Sequence, residues 1–123
     1  MYGKMLMTFR QYAAPLAALA LLATAGQALA HAHLLASTPA ADASVAAPKQ
    51  LALSFSEKLE PKFSGLELTK ADGGDVAVAT AVADKSMTAT VKAPLAPGAY
   101  KVMWHVVSAD GHKMKGDYAF TVK

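Results

Sequence analysis

The stretch YKVMWHVV, residues 100–107, decides the fold class of this chain. Every second side chain in it is apolar, and a period of two is typical of a β-strand that buries one face. Four apolar side chains would share that buried face: Tyr100, Val102, Trp104 and Val106. His105 falls on the opposite face, so we expect a surface histidine that takes no part in a metal site.

The same alternation recurs in short runs along the rest of the chain, and turn sequences such as ADGGD (residues 71–75) and PLAPG (residues 94–98) separate them. No long amphipathic helix pattern is present, and we expect residues 37–48 to form a loop. The pattern predicts an all-β fold, a Greek-key β-sandwich or barrel of the immunoglobulin-like type. The further predicted strands are QLALSF (50–55), GLELTK (65–70), VAVAT (76–80), MTATVK (87–92) and YAFTV (118–122).

The first thirty residues have the pattern of a secretory signal peptide. Lys4 and Arg10 provide the positive charge, an apolar run covers residues 16–26, and Ala28-Leu29-Ala30 forms an A-x-A cleavage site. The apolar run is shorter than the ~20 residues that a membrane-spanning helix needs. We therefore expect residues 1–30 to be cleaved, leaving a periplasmic domain of residues 31–123 with no stable membrane insertion.

Composition excludes several classes of protein. Without Lys4 and Arg10 the chain has one more basic than acidic side chain and no basic stripe, which argues against nucleic-acid binding. The chain has no cysteine, so it has neither a disulfide nor a thiolate ligand for a soft metal. A domain of this length must be stabilised by a single hydrophobic core.

Cleavage after Ala30 would make His31 the first residue, with an α-amine and an imidazole that can chelate one metal ion. Asp110 and His112, in the sequence SADGHKMKG (residues 108–116), lie two residues apart and would point to the same side of an extended segment. Amine, imidazole and carboxylate donors suit a borderline ion such as Cu(II) or Zn(II), and Cu(II) favours a tetragonal set of them.

A second geometry competes for the same amine. In the sequence His31-Ala32-His33, the α-amine, two backbone amides and the His33 ring could wrap Cu(II) or Ni(II) without Asp110 or His112. If residues 33–37 join a strand, their amides are committed to a sheet, and this favours the site that includes Asp110 and His112. His33 would then be a further candidate ligand or a group that supports the site.

These residues also resemble a known family. The histidine after the cleavage site with HLLASTPA (33–40), LALSFSEKLEPKFSG (51–65) and GAYKVMWHVVSADGHKMKGDYAFTV (98–122) are similar to the copper resistance protein C (CopC) family of periplasmic copper-binding proteins. The resemblance covers residues 31–123. It implies a Greek-key sandwich of seven to nine strands and a Cu(II) site formed by His31, Asp110 and His112.

The resemblance also implies two points of comparison within the family. Glu57 matches a carboxylate that lies near or in the site of some members. Other members carry a methionine-rich loop for Cu(I), but here residues 66–92 contain only Met87 and no histidine. We therefore expect the Cu(II)-only type, in which Met87 and Met103 pack in the interior and Met114 is a solvent-facing turn residue.

The expected function is Cu(II) binding for sequestration, homeostasis, resistance or delivery to an inner-membrane copper transport protein, by a monomer that is not an enzyme. One alternative is a copper-dependent oxidative enzyme, since lytic polysaccharide monooxygenases also hold copper through an N-terminal histidine. The small domain has few aromatic residues left for a polysaccharide-binding face. The other alternative is a metal-free immunoglobulin-like interaction module.

Overall fold

The computed structural model describes residues 32–123, which fold into nine β-strands and a single 3₁₀ turn at Pro61–Phe63. The predicted signal peptide, residues 1–30, and His31 lie outside the described residues. Within residues 32–123 no helix has the length and hydrophobicity that crossing a lipid bilayer requires. The strands are β1 (Leu34–Thr38), β2 (Ser44–Val45), β3 (Gln50–Phe55), β4 (Gly65–Lys70), β5 (Asp75–Val76), β6 (Val78–Ala83), β7 (Ser86–Val91), β8 (Gly98–Val107) and β9 (Lys113–Val122).

The strands form two sheets. One has the order β1-β3-β7-β6 and the other the order β2-β9-β8-β4-β5. All neighbours are antiparallel except β2, which lies parallel to the end of β9. The chain crosses between the sheets after β1, β2, β3, β5 and β7, so that strands distant in sequence become neighbours. This confirms the predicted all-β Greek-key sandwich.

Alternating side chains of both sheets build the core. The inward residues of β8 are at most 8% exposed, as the alternation of residues 100–107 predicts. Phe55 of β3 meets Trp104 of β8 edge to face, with ring centroids 5.1 Å apart and an interplanar angle of 70°, which ties the two sheets together. Tyr100 stacks on Phe120 within the five-stranded sheet, at 5.6 Å. His105 is exposed on the outer face, as expected.

Trp104 depends on a glycine in the neighbouring strand. Gly116 lies opposite Trp104 in the β8–β9 register, and a Cβ atom at this position would lie 2.4 Å from Trp104 Cζ2. The indole therefore covers the bare backbone of Gly116, and any larger residue there would displace it. Sequence alternation predicts the burial of Trp104 but contains no sign of this partner.

Several local predictions were wrong in detail. VAVAT is not one strand: Val76 ends β5 in one sheet and Val78 begins β6 in the other, because the chain changes sheets at Ala77. The expected loop at residues 37–48 contains the short strand β2. Met87 is fully buried as expected, but Met103 lies between two inward residues of β8 and is half-buried on the outer face. Met114 lies in β9 and packs against the core rather than in a turn.

Candidate metal centre

The β8–β9 hairpin presents the candidate residues at one end of the sandwich. Its strands pair in unbroken register from Gly98↔Val122 to Val107↔Lys113. The loop that joins them is closed by a hydrogen bond from the amide of Ser108 to the carbonyl of His112, at 2.9 Å. Gly111 adopts φ +90°, a conformation that L-residues avoid, and its amide donates to the Ser108 carbonyl at 2.8 Å. The turn therefore depends on the glycine between the two candidate ligands.

Asp110 and His112 are in direct contact within this loop. His112 Nδ1 lies 2.9 Å from Asp110 Oδ2, and the His112 amide donates to Asp110 Oδ1 at 3.3 Å. Both side chains remain about half exposed, at 54% for Asp110 and 49% for His112. The structure thus brings together the two side chains that the D-x-H spacing placed on one side. Because Asp110 contacts Nδ1, the second ring nitrogen, Nε2, lies outside this contact.

The carboxylate of Asp110 is held in its charged form. The Ser108 hydroxyl donates to Asp110 Oδ1, and the ring and amide of His112 donate as well. These hydrogen bonds, that of Ser108 first, lower the pKa of Asp110 from 3.8 to about 2. An anionic oxygen is therefore present at this loop at any pH near neutrality.

The first described residues are tied to the sandwich immediately before β1. Ala32 is fully buried and belongs to the core. The His33 amide donates to Ser56 Oγ at 2.8 Å, and the Ser56 amide donates back to the His33 carbonyl at 2.9 Å. Ala32, the residue directly after His31, is therefore fixed in the core. The backbone amide of the next residue, His33, is already hydrogen-bonded to Ser56.

One short segment, residues 56–60, connects this end of the chain to the Asp110 loop. Ser56 holds His33, while two residues later the carbonyl of Lys58 accepts from the amide of Ala109 at 2.9 Å. Leu59 then forms an isolated β-bridge with Ser108. Two residues of extended chain span at most about 7 Å. The segment therefore anchors the start of the domain and the candidate loop at neighbouring points.

Not every predicted residue can be placed in one cluster. Residues 32–123 contain no group of three or more His, Cys, Asp or Glu side chains that could hold a metal ion. His33 and Glu57 are exposed near the connecting segment, but the structure does not group them with Asp110 and His112. His31 lies outside the described residues, so its part in the site stays a prediction.

Ser108 is the residue that sequence reasoning missed. Its side chain is 1% exposed, and its hydroxyl contacts both Asp110 Oδ1 and the His112 carbonyl. The available signal was the S-x-D spacing, in which a serine hydroxyl can donate to a carboxylate two residues later. That spacing is common in turns, so by itself it does not indicate a buried hydroxyl.

The sequence matches the model of one protein family, described as the CopC domain, over residues 34–123. The match begins at β1 and includes the connecting segment and the Asp110 loop. It therefore covers every described element that surrounds the candidate site.

Individual proteins are similar to this chain as well. A protein of Escherichia coli named copper resistance protein C is 42% identical over 112 residues, which cover 83% of this chain and 89% of that protein. The copper transport protein CutJ of Bacillus subtilis is 30% identical over 98 residues, 76% of this chain but 18% of that longer protein. The crystal structure of PcoC, described as a methionine-rich copper resistance protein from Escherichia coli, superposes with a TM-score of 0.71 at 42% identity, covering 76% of this chain and all of that one.

Proposed function

The chain belongs to the CopC family, and from this premise we propose that it is a periplasmic copper-binding protein that serves copper resistance or homeostasis. The relatives are named for copper resistance and copper transport. The observation that carries the proposal to particular residues is the contact between Asp110 and His112 in a loop anchored beside the start of the domain.

The donors at this loop fit copper in its oxidised state. An imidazole and a carboxylate are borderline and hard ligands, and the chain has no cysteine thiolate. Such donors favour Cu(II). Of the thioethers that select Cu(I), that of Met87 is buried in the core and that of Met114 packs against the core. The ion proposed here is therefore Cu(II).

Two side chains do not make a copper site, and no third donor of the usual kind joins them within residues 32–123. The missing donors must come from elsewhere, and His31 is one residue from the buried Ala32. Consecutive Cα atoms are about 3.8 Å apart, so the anchoring of Ala32 restricts where His31 can reach. We assign the α-amine and imidazole of His31 as the donors that complete the set with Asp110 and His112.

The competing site in the terminal tripeptide is disfavoured by two contacts. It would need the backbone nitrogens of Ala32 and His33 as ligands. The His33 amide already donates to Ser56, and the Ala32 side chain is buried in the core. Wrapping the tripeptide around an ion would break the hydrogen bond and expose the alanine, so His33 is left as a supporting group or an additional ligand.

The role is binding rather than catalysis. The names of the similar proteins describe resistance and transport and no reaction. Among large hydrophobic side chains in the described part of the chain, Phe63 is the one exposed aromatic, and a single ring does not form a polysaccharide-binding face. The similarity to one segment of a much longer copper transport protein supports a membrane copper transporter as the partner.

Electron paramagnetic resonance during Cu(II) titration tests the site. The mature chain beginning at His31 should bind one equivalent tightly, and Asp110→Ala/His112→Ala should change the spectrum and weaken binding. A second test variant carries one extra alanine before His31, which keeps every side chain of the mature chain but displaces its α-amine. It should also weaken binding.

Three outcomes would contradict parts of this assignment. Tight binding that survives the double substitution but is lost in His33→Ala would move copper to the terminal tripeptide. Binding unaffected by the extra alanine would remove the amine from the site. The absence of any tight equivalent would overturn copper binding itself, whereas oxidation of a polysaccharide by the loaded protein with reductant and oxygen would identify an enzyme.

A further inference from the structure

Ser108 is the one polar residue among the buried residues of the described part of the chain. It is 1% exposed, whereas Asp110 and His112 are about half exposed. A hydroxyl removed from water must find hydrogen-bond partners, since burial without them is costly. The partners of Ser108 Oγ are Asp110 Oδ1 and the carbonyl of His112, so the buried hydroxyl serves the two proposed ligands.

The backbone of Ser108 is fixed independently of its hydroxyl. Its amide donates to the His112 carbonyl at 2.9 Å and its carbonyl accepts from Gly111 at 2.8 Å. The β-bridge to Leu59, which is 2% exposed, ties the residue to the core. The hydroxyl is therefore a rigidly mounted donor, whose backbone is held both by hydrogen bonds within the loop and by the bridge to the sandwich.

This rigid donor orients a carboxylate that solvent would otherwise leave free to rotate. Ser108 and the His112 amide occupy Oδ1, which leaves Oδ2 towards His112 Nδ1 at 2.9 Å. The order of contacts is buried hydroxyl, carboxylate, imidazole. Groups that hold metal ligands in this way set the orientation of the ligand before the ion arrives.

We propose that Ser108 is a positioning residue of the copper site, whose hydroxyl aligns Asp110 and through it His112 without touching the ion. This inference rests on the proposed function, because it concerns the same two ligands. Removing a group that orients a metal ligand commonly costs about 10- to 100-fold in affinity. Ser108→Ala should therefore weaken Cu(II) binding by about that factor while the stoichiometry stays at one.

The matched control is Ser86→Ala. Ser86 also donates its hydroxyl to a backbone carbonyl, that of Ala83 at 3.0 Å, but it lies at the β6–β7 turn and is exposed. It should leave the affinity and the Cu(II) spectrum unchanged. Ser108→Thr keeps the hydroxyl and should recover most of the affinity lost in Ser108→Ala.

A double-mutant cycle separates positioning from general stability. In an Asp110→Ala background the hydroxyl has no carboxylate to align, so Ser108→Ala should cause little additional loss. An equal loss in both backgrounds would overturn the inference. The inference would also be overturned if Ser108→Ala matched Ser86→Ala in affinity and spectrum while Asp110→Ala still weakened binding. That result would leave the proposed function standing.

A measurement on the metal-free wild type keeps the inference testable if Ser108→Ala does not fold. Side-chain scalar couplings of Asp110 should report one dominant χ1 rotamer. Averaging over several rotamers would mean that the hydroxyl does not align the carboxylate, and would overturn the inference. Failure of the wild type to bind Cu(II) would instead remove the proposed function.

Discussion

The two halves of the β8–β9 hairpin follow different rules. In the strand half, buried side chains such as Val102 and Trp104 face the opposite sheet, and the register is continuous. In the loop half, Asp110 and His112 are about half exposed and are arranged by hydrogen bonds among residues 108–112. Apolar burial therefore supports the fold, while a local polar network shapes the candidate site.

The largest expected effect comes from removing an apolar contact between the strand half and the opposite sheet. Phe55→Ala removes the ring that packs against Trp104 across the two sheets, and it should lower the free energy of unfolding by about 3–5 kcal/mol. Urea denaturation followed by Trp104 fluorescence measures this change. The control is Leu35→Ala, since Leu35 is 68% exposed and should change stability by less than about 0.5 kcal/mol. Equal losses of unfolding free energy in the two variants would mean that the contact between Phe55 and Trp104 does not stabilise the fold.

A smaller effect is expected from filling the space under the indole. Gly116→Ala would place a Cβ atom 2.4 Å from Trp104 Cζ2, and the resulting overpacking should cost about 1–3 kcal/mol. Denaturation of metal-free protein again gives the magnitude. Gly74→Ala is the matched control, because its Cβ would approach the terminal oxygen of the Asp72 side chain at 3.2 Å, in an exposed turn. If Gly116→Ala is no less stable than Gly74→Ala, the close packing of Trp104 on β9 is wrong.

The smallest effect concerns the charge in the loop half. Because the pKa of Asp110 is lowered to about 2, its contribution to stability is complete above the ordinary value of 3.8 and is lost as the pH falls towards 2. The stability difference between wild type and Asp110→Asn should therefore be constant above about pH 5 and shrink below pH 4. The ¹³C chemical shift of the Asp110 carboxyl should titrate with a midpoint near 2.

Ser108→Ala sharpens this titration. Loss of the hydroxyl removes the first cause of the lowered pKa, so the carboxyl midpoint should move up towards 3.8. A wild-type midpoint at or above 3.8 would contradict the hydrogen-bonded arrangement of the loop. A midpoint unchanged by the substitution would show that His112 alone holds the charge.

The strand half was predictable because alternation is a local property. The alternation of residues 100–107 predicts a buried face, and Asp110 and His112 were recognisable because they lie two positions apart, on either side of a glycine. The division between Val76 and Val78 was not predictable, since both residues are equally suited to a strand and only the choice of sheet separates them. The packing of Trp104 on Gly116 was equally unpredictable, because the register between β8 and β9 sets which residue lies opposite the indole.

The amino-acid sequence by itself determined the class of the fold, the pair of polar side chains in the hairpin loop and the family to which the chain belongs. These depend on residue type and short spacing, which act within a few positions of the chain. Only the tertiary structure decided that residues 56–60 join His33 to the Asp110 loop, and that Ser108 is buried beneath Asp110. Both follow from strands that pair across many residues, where long-range packing rather than local preference sets which groups meet.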